Sequence, residues 1–276
     1  MPSELPTALI ANARMYSVAP GAVAAWKRLF AWLIAESGVP LSVVDHAFPA
    51  KLSELWARPD LACTFMCGWP YVRDYADRRV VAAPVPNAVF AAGRPLYCTH
   101  FVVHRDAPFQ SLEETFGHRF AFTIQDSHSG YNAPRHHLLA YRKPGAAPLY
   151  REIIGPLTTP RRMLEAIAAR QTDVGPLDSF AYALLQRHEP RVAAETRVIA
   201  STALVQMPAF VAAPGTNTAI VARLTETLLT LAADQTQPSL RDDLCIAGFA
   251  RVDAAPWQLA ERWAQAAERQ GANEIR

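Results

Sequence analysis

A chain of 276 residues with 51% hydrophobic and 19% charged residues can bury a substantial core, as one large domain or as two lobes. Its 27 Lys and Arg against 25 Asp and Glu leave a net charge of +2, too weak a field to hold a nucleic-acid backbone or an anionic membrane. The sequence holds no run of about 18 apolar residues, and so offers no membrane-spanning helix.

Thr7 to Ala13 reads as a strand, followed by Met15-Tyr16 and by helical spacing of Trp26, Leu29, Phe30 and Leu33 over Ala22 to Glu36. Leu41 to Asp45 is a second strand, Ala50 to Trp56 a helix, and Leu61 to Met66 a compact apolar strand that ends in an aromatic loop, Cys67-Gly68-Trp69-Pro70-Tyr71. Val80 to Pro84 and one long run from Tyr97 to Val103 read as further strands, and Ser111 to Glu114 as a capped helix start. Arg119 to Ile124 is a β-rich strand feeding the stretch QDSHSGYNAPR, residues 125–135, and helical spacing resumes over His136 to Tyr141. Next come an amphipathic helix with Met163, Leu164 and Ile167 on one face, a strand over Thr172 to Asp178, and a helix over Phe180 to Gln186. Strands at Arg197 to Ser201 and Pro208 to Ala213, then helices at Ile220 to Ala232 and Pro256 to Ala267, complete the pattern.

The 125–135 stretch is suited to holding an anion. The first N–H groups of a helix lack internal partners and carry partial positive charge, while Ser127 and Ser129 add hydroxyl donors and Gly130 admits a close approach to the backbone. An ordinary N-cap explains the same residues, and Asp178, after a strand and before a helix, likewise fits either a ligand contact or a cap. Tyr16, Trp69 and Tyr71 follow strands, where ligands gather in open α/β sheets, yet each also suits plain core packing.

Cys63, Cys67, Cys98 and Cys245 form no CxxC pair, so no metal site is expected; two disulfides and four free thiols both fit. The amino terminus, MPSELPTALIANARMY, lacks the basic and apolar regions of an export signal. The expected location is periplasmic if a leader has been removed and cytoplasmic if the chain is native as written.

The order of these motifs resembles the type 2 periplasmic-binding fold, and within it the phosphate, phosphite and phosphonate substrate-binding proteins of ABC transporters. Its carriers are Met15-Tyr16, Trp56-Ala57-Arg58-Pro59-Asp60-Leu61, Cys67-Gly68-Trp69-Pro70-Tyr71, Ser111-Leu112-Glu113, Ser127-His128-Ser129-Gly130-Tyr131 and Val174-Gly175-Pro176-Leu177-Asp178. The resemblance implies an α/β protein of two lobes with a ligand cleft between them. Lobe 1 would be residues 1-98 and 206-276, and lobe 2 residues 99-205, with crossovers near 97-103 and 199-210. It implies that Ser127, Ser129 and Gly130, beside His128 and Tyr131, bind a small oxyanion, that Tyr16, Trp69 and Tyr71 approach from the first lobe, and that Asp178 accepts from a protonated ligand oxygen or an amino group. Phosphonate-holding relatives carry Gly-Ser-His where this chain has Gly155-Pro156-Leu157-Thr158; His128 or His100 could substitute, and each also fits an ordinary surface or packed histidine. The implied partners are the oxyanion and an ABC permease, with no nucleic acid, no cofactor and a monomeric state.

Two other functions compete. A cytoplasmic sensor or recruited binder would box an aromatic or cationic ligand among Tyr16, Trp69, Tyr71 and Tyr131. A hydrolase would draw on Ser127, His128 and Asp178, but neighbours on a tight loop make a poor nucleophile and base pair, and no G-x-S-x-G elbow occurs, so no enzyme is expected.

Overall fold

The structure is a computed structural model and describes residues 8–143, 145 and 147–275. The chain opens with β1 (Leu9–Asn12), a 3-10 turn (Arg14–Tyr16) and α1 (Pro20–Ser37). Thr7, where that strand was expected to begin, lies outside the described residues. Pro20 suits the first turn of α1, where an N–H has no helical partner to lose. The helix stops at Gly38, whose φ of 68° is the left-handed conformation of a helix cap.

β2 (Leu41–Val43), α2 (Leu52–Trp56) and β3 (Leu61–Met66) follow as read, with slightly shorter ends. The stretch expected to be an aromatic loop is instead the start of α3 (Gly68–Asp74), because Pro70 falls in a first turn that tolerates it. β4 (Arg79–Pro86) leads to β5 (Leu96–Tyr97) and β6 (Thr99–His104). The single long strand expected over Tyr97 to Val103 is thus broken at Cys98, whose N–H leaves the ladder to donate to Ser179 Oγ at 3.1 Å.

Beyond β7 (Arg119–Ala121), the chain runs through α4 (Ala133–His137), β8 (Glu152–Ile154), α5 (Pro160–Ala168), β9 (Val174–Asp178), α6 (Ser179–His188), α7 (Pro190–Ala193), β10 (Thr196–Ser201) and β11 (Val205–Gln206). β12 (Ala209–Ala212), α8 (Thr218–Thr230), α9 (Pro238–Asp243), β13 (Ile246–Ala250) and α10 (Gln258–Arg269) close it. β8, α7, α9 and β13 are not among the elements expected from the sequence.

Two compact units result, Met1–Leu96 with Met207–Ala254, and Tyr97–Gln206 with Ala255–Arg276. The first unit holds a six-stranded sheet in the order β13-β4-β12-β3-β1-β2, parallel where β1 meets β2 and β3 and antiparallel around β12 and β13. β3 is buried along its whole length, which explains its unbroken apolar sequence. Phe65 and Phe210 stack at 3.9 Å in its core, with Trp26 edge-on to both.

The second unit holds a five-stranded sheet, β10-β6-β9-β7-β8, with Phe101, Phe120, Leu177 and Phe180 fully enclosed. The expectation that residues 206-276 all join the first lobe differs at the carboxyl end. α10 packs on α4 of the second unit, where Asn132 Nδ2 donates to Ala260 O at 2.7 Å, and Ala272 and Ile275 are buried. The sequence shows α10 as amphipathic but not which surface its apolar face meets.

Candidate functional site

The second unit assembles the serine loop from the end of β7. Ser127 is a half-buried N-cap in extended conformation, and its Oγ accepts from Gly130 N at 2.9 Å. Helical backbone therefore begins at His128, earlier than the sequence spacing implied, with one wide π-type turn over His128–Asn132 that continues into α4. Asn132 N reaches back to Ser127 O at 3.0 Å, while the His128 and Ser129 amides precede any carbonyl the helix itself can offer. Gly130 is required here by space: a Cβ at this position would lie 1.7 Å from Thr123 Oγ1.

The β6–β9 register sets Thr99 opposite Asp178 and so brings a second helix start beside the first. Thr99 Oγ1 donates to Ser129 O at 3.0 Å, and Ser129 Oγ donates to Asp178 Oδ2 at the long distance of 3.5 Å. Asp178 Oδ1 accepts from Phe180 N at 2.9 Å and Ala181 N at 3.0 Å, so one carboxylate oxygen caps α6 while the other turns to the serine loop. Ser127, Ser129, Gly130 and Asp178 thus form one polar group, joined by Thr99 and Thr123, which the sequence reading did not single out. Their signal was hidden because strand register, not local sequence, selects them.

His128 and Tyr131 face the other way. The His128 ring is buried, stacks on Trp263 at 5.4 Å, and takes a hydrogen bond at Nδ1 from Asn132 Nδ2 at 3.2 Å. Burial, reinforced by the charge of His136, holds its pKa down at about 3, so the ring is neutral at ordinary pH. The Tyr131 hydroxyl donates to Asn273 O at 3.4 Å, and burial raises its pKa. Because Ser127 Oγ is bonded to Gly130 N and His128 Nδ1 to Asn132, the residue types of a triad are present without a nucleophile–base pair.

His100 is set apart from the loop, since side chains alternate along β6 and Thr99 is the residue turned toward Ser129. Its Nδ1 pairs with Ser201 Oγ at 2.7 Å, its ring meets Tyr182 edge-on, and burial lowers its pKa. The Gly155-Pro156-Leu157-Thr158 segment lies along the loop's other side, with Leu157 N on Phe122 O at 3.0 Å and Thr158 N on Thr123 O at 2.9 Å. Thr158 holds φ at 71°, a strained value for a β-branched residue.

In the first unit, Tyr16 ends the 3-10 turn after β1 and is 1% exposed, its ring edge-on to Phe65 at 4.9 Å and its carbonyl accepting from Trp26 Nε1. Trp69 is half-buried on α3, with the Arg73 guanidinium 5.2 Å from its ring. Tyr71 is buried, and its hydroxyl donates to Arg78 O at 2.8 Å and lies 3.3 Å from Ala76 O, tying α3 to the following turn. Among the described residues, Cys63, Cys67, Cys98 and Cys245 are free thiols, and no group of three or more His, Cys, Asp or Glu is set to hold a metal ion. Among the described residues no helix is long and apolar enough to cross a membrane.

A family model described as "ABC transporter, phosphonate, periplasmic substrate-binding protein" matches residues 19–257. None of the curated proteins is a significant sequence match. Among solved structures, a binding protein component of an ABC phosphonate transporter from Pseudomonas aeruginosa aligns with a TM-score of 0.79 at 16% identity, covering 96% of this chain and 88% of that one. PhnD1 from Prochlorococcus marinus, in complex with methylphosphonate, aligns with a TM-score of 0.77 at 14% identity, covering 96% and 99%. The aliphatic sulphonate binding protein SsuA from Escherichia coli follows with a TM-score of 0.58 at 17% identity, covering 97% and 88%. At these identities the likeness establishes a shared fold, that of two-lobed periplasmic binding proteins.

Proposed function

The chain belongs to the family of periplasmic substrate-binding proteins of phosphonate ABC transporters, and from that footing we propose that its second unit takes a small phosphonate, phosphite or phosphate-type oxyanion at the Ser127–Gly130 helix start. A member of this family binds its substrate for transport and does not convert it, so a small-molecule ligand and a permease are its partners.

The observation that carries the reading is the division of labour at Asp178. One oxygen accepts from the α6 amides, and the other accepts from Ser129 Oγ at 3.5 Å, on the side of the serine loop. An anion at the neighbouring helix start takes donors from the Ser127 and Ser129 hydroxyls and from amides that the helix leaves unpaired. Hydrogen bonds to a charged group contribute about 1.5–3 kcal/mol each, so three or four reach the roughly 8 kcal/mol of a micromolar complex. Asp178 Oδ2 then discriminates: it repels a fully ionised ligand and accepts the proton of one that retains it.

Isothermal titration of the purified chain with methylphosphonate, phosphite and phosphate tests this. Binding of at least one, lost in the Ser127→Ala, Ser129→Ala double variant while that variant remains folded, is the expected result. No heat with any of the three would overturn the oxyanion reading.

A further inference from the structure

The serine loop is gripped from behind by the carboxyl-terminal segment of its own unit. The Trp263 indole on α10 lies nearly parallel to two imidazoles, His136 at 4.7 Å and 5° and His128 at 5.4 Å and 21°. Those histidines stand eight residues apart on one helical run, a rise of roughly 12 Å. The indole stacks on both imidazoles and so links two points of that run to α10. Asn132, between the two histidines, donates through Nδ2 to Ala260 O at 2.7 Å and to His128 Nδ1 at 3.2 Å. An amide N–H can only donate, so His128 Nδ1 is the acceptor and the proton of the neutral ring is on Nε2. Tyr131 Oη and Arg135 Nη1 both donate to Asn273 O, at 3.4 and 3.1 Å.

We propose that Trp263 is a positioning residue for oxyanion binding: stacked on His128 and His136, it fixes the rotation and height of the helix start that presents Ser127 and Ser129. The binding consequence rests on the oxyanion reading, whereas the stack itself does not. His128 is flanked in sequence by the two serines, so a shift of its backbone moves both of them. Alanine at 263 leaves the imidazole free to rotate and opens it to water. The titratable groups on the elements packed against His128 are Arg135, His136 and His137 on α4, Glu261, Arg262, Glu268 and Arg269 on α10, and Asp178 at the end of β9. Of these, His136 is the one whose charge acts on the His128 ring.

The test compares Trp263→Ala and Trp263→Phe with the unmodified chain, by methylphosphonate titration calorimetry and by NMR of the histidine rings in the ligand-free protein. In the unmodified chain the His128 signals stay fixed from pH 8 to pH 5. In Trp263→Ala they titrate near the ordinary imidazole value of about 6.5, and methylphosphonate affinity falls at least tenfold with circular dichroism unchanged. Trp263→Phe, which keeps a flat ring, stays within about twofold with His128 still silent, a rescue that general loss of core volume does not give. Should the alanine variant not fold, Trp263→Leu, which fills space without a flat ring, carries the same comparison. Unchanged affinity in Trp263→Ala, or lost affinity with His128 still silent, overturns the proposal. If the unmodified chain binds no oxyanion, the oxyanion reading fails by itself, and the His128 titration still decides the stack.

Discussion

Replacing Gly130 with alanine probes the tightest contact in the serine loop. The added Cβ would meet Thr123 Oγ1 at 1.7 Å, and Ser127 Oγ and Thr123 Cβ at 3.0 Å each. No rotamer of alanine relieves this, so Thr123 must turn or the π-type turn must lift. Turning Thr123 about χ1 moves its Oγ1 but not its Cβ, also 3.0 Å from the added atom and held by a backbone whose N–H faces Gly130 O at 3.4 Å and whose carbonyl accepts from Thr158 N at 2.9 Å. Overpacking of this kind costs about 1–3 kcal/mol, and lifting the turn also displaces the Ser127 Oγ to Gly130 N bond that caps it. Gly130→Ala is therefore expected to lose about 2 kcal/mol in urea unfolding and to bind methylphosphonate at least tenfold more weakly. Thr123→Ala removes the oxygen at fault, so the double variant should recover at least about 1 kcal/mol of the loss, a coupling within the range for residues in contact. Gly130→Ala unfolding like the unmodified chain, or a double variant whose losses simply add, would refute the geometry.

Acid should weaken the fold through His128. Its pKa of about 3 in the folded protein lies below the roughly 6.5 of an unfolded chain, so the unfolded state takes up the proton first. That contribution is complete above pH 6.5 and is lost as pH falls toward 3, reaching about 3 kcal/mol by pH 4.5, and burial of His100, His136 and His137 acts in the same direction. Unfolding free energies from pH 7.5 to 4.5 measure it, and His128→Gln should flatten the slope. Asp178→Asn keeps an oxygen for the α6 amides and should stay within about 0.5 kcal/mol in stability, because Asn caps as well as Asp. Its amide replaces the acceptor at Oδ2 with a donor, so titration should show preference moving at least tenfold from protonated toward fully ionised oxyanions. Tyr71→Phe removes the hydrogen bond to the Arg78 carbonyl and should cost about 1 kcal/mol in thermal or urea unfolding.

Much of the architecture was legible because periodicity and punctuation are local. The unbroken apolar run of β3, the Pro20 and Gly38 that bound α1, and the amphipathic face of α5 each report a neighbourhood in the residues themselves. The misread pieces are those where a distant partner overrides the local signal. Cys98 breaks a strand because Ser179 captures its amide, and the 67–71 stretch turns helical because its proline falls in a tolerant first turn.

At the site, the sequence by itself determined the chemistry on offer. Two hydroxyls and a glycine between a strand and a helix, and an acid between the next such pair, are facts of composition and order. Only the tertiary structure decided which of them meet. The β6–β9 register sets Asp178 beside Ser129 and turns His100 away, while Trp263 on α10 claims His128 and Asn273, beyond α10, claims Tyr131 for the back of the loop. Strand register and helix docking are set by the burial of many residues at once, so no short motif encodes them.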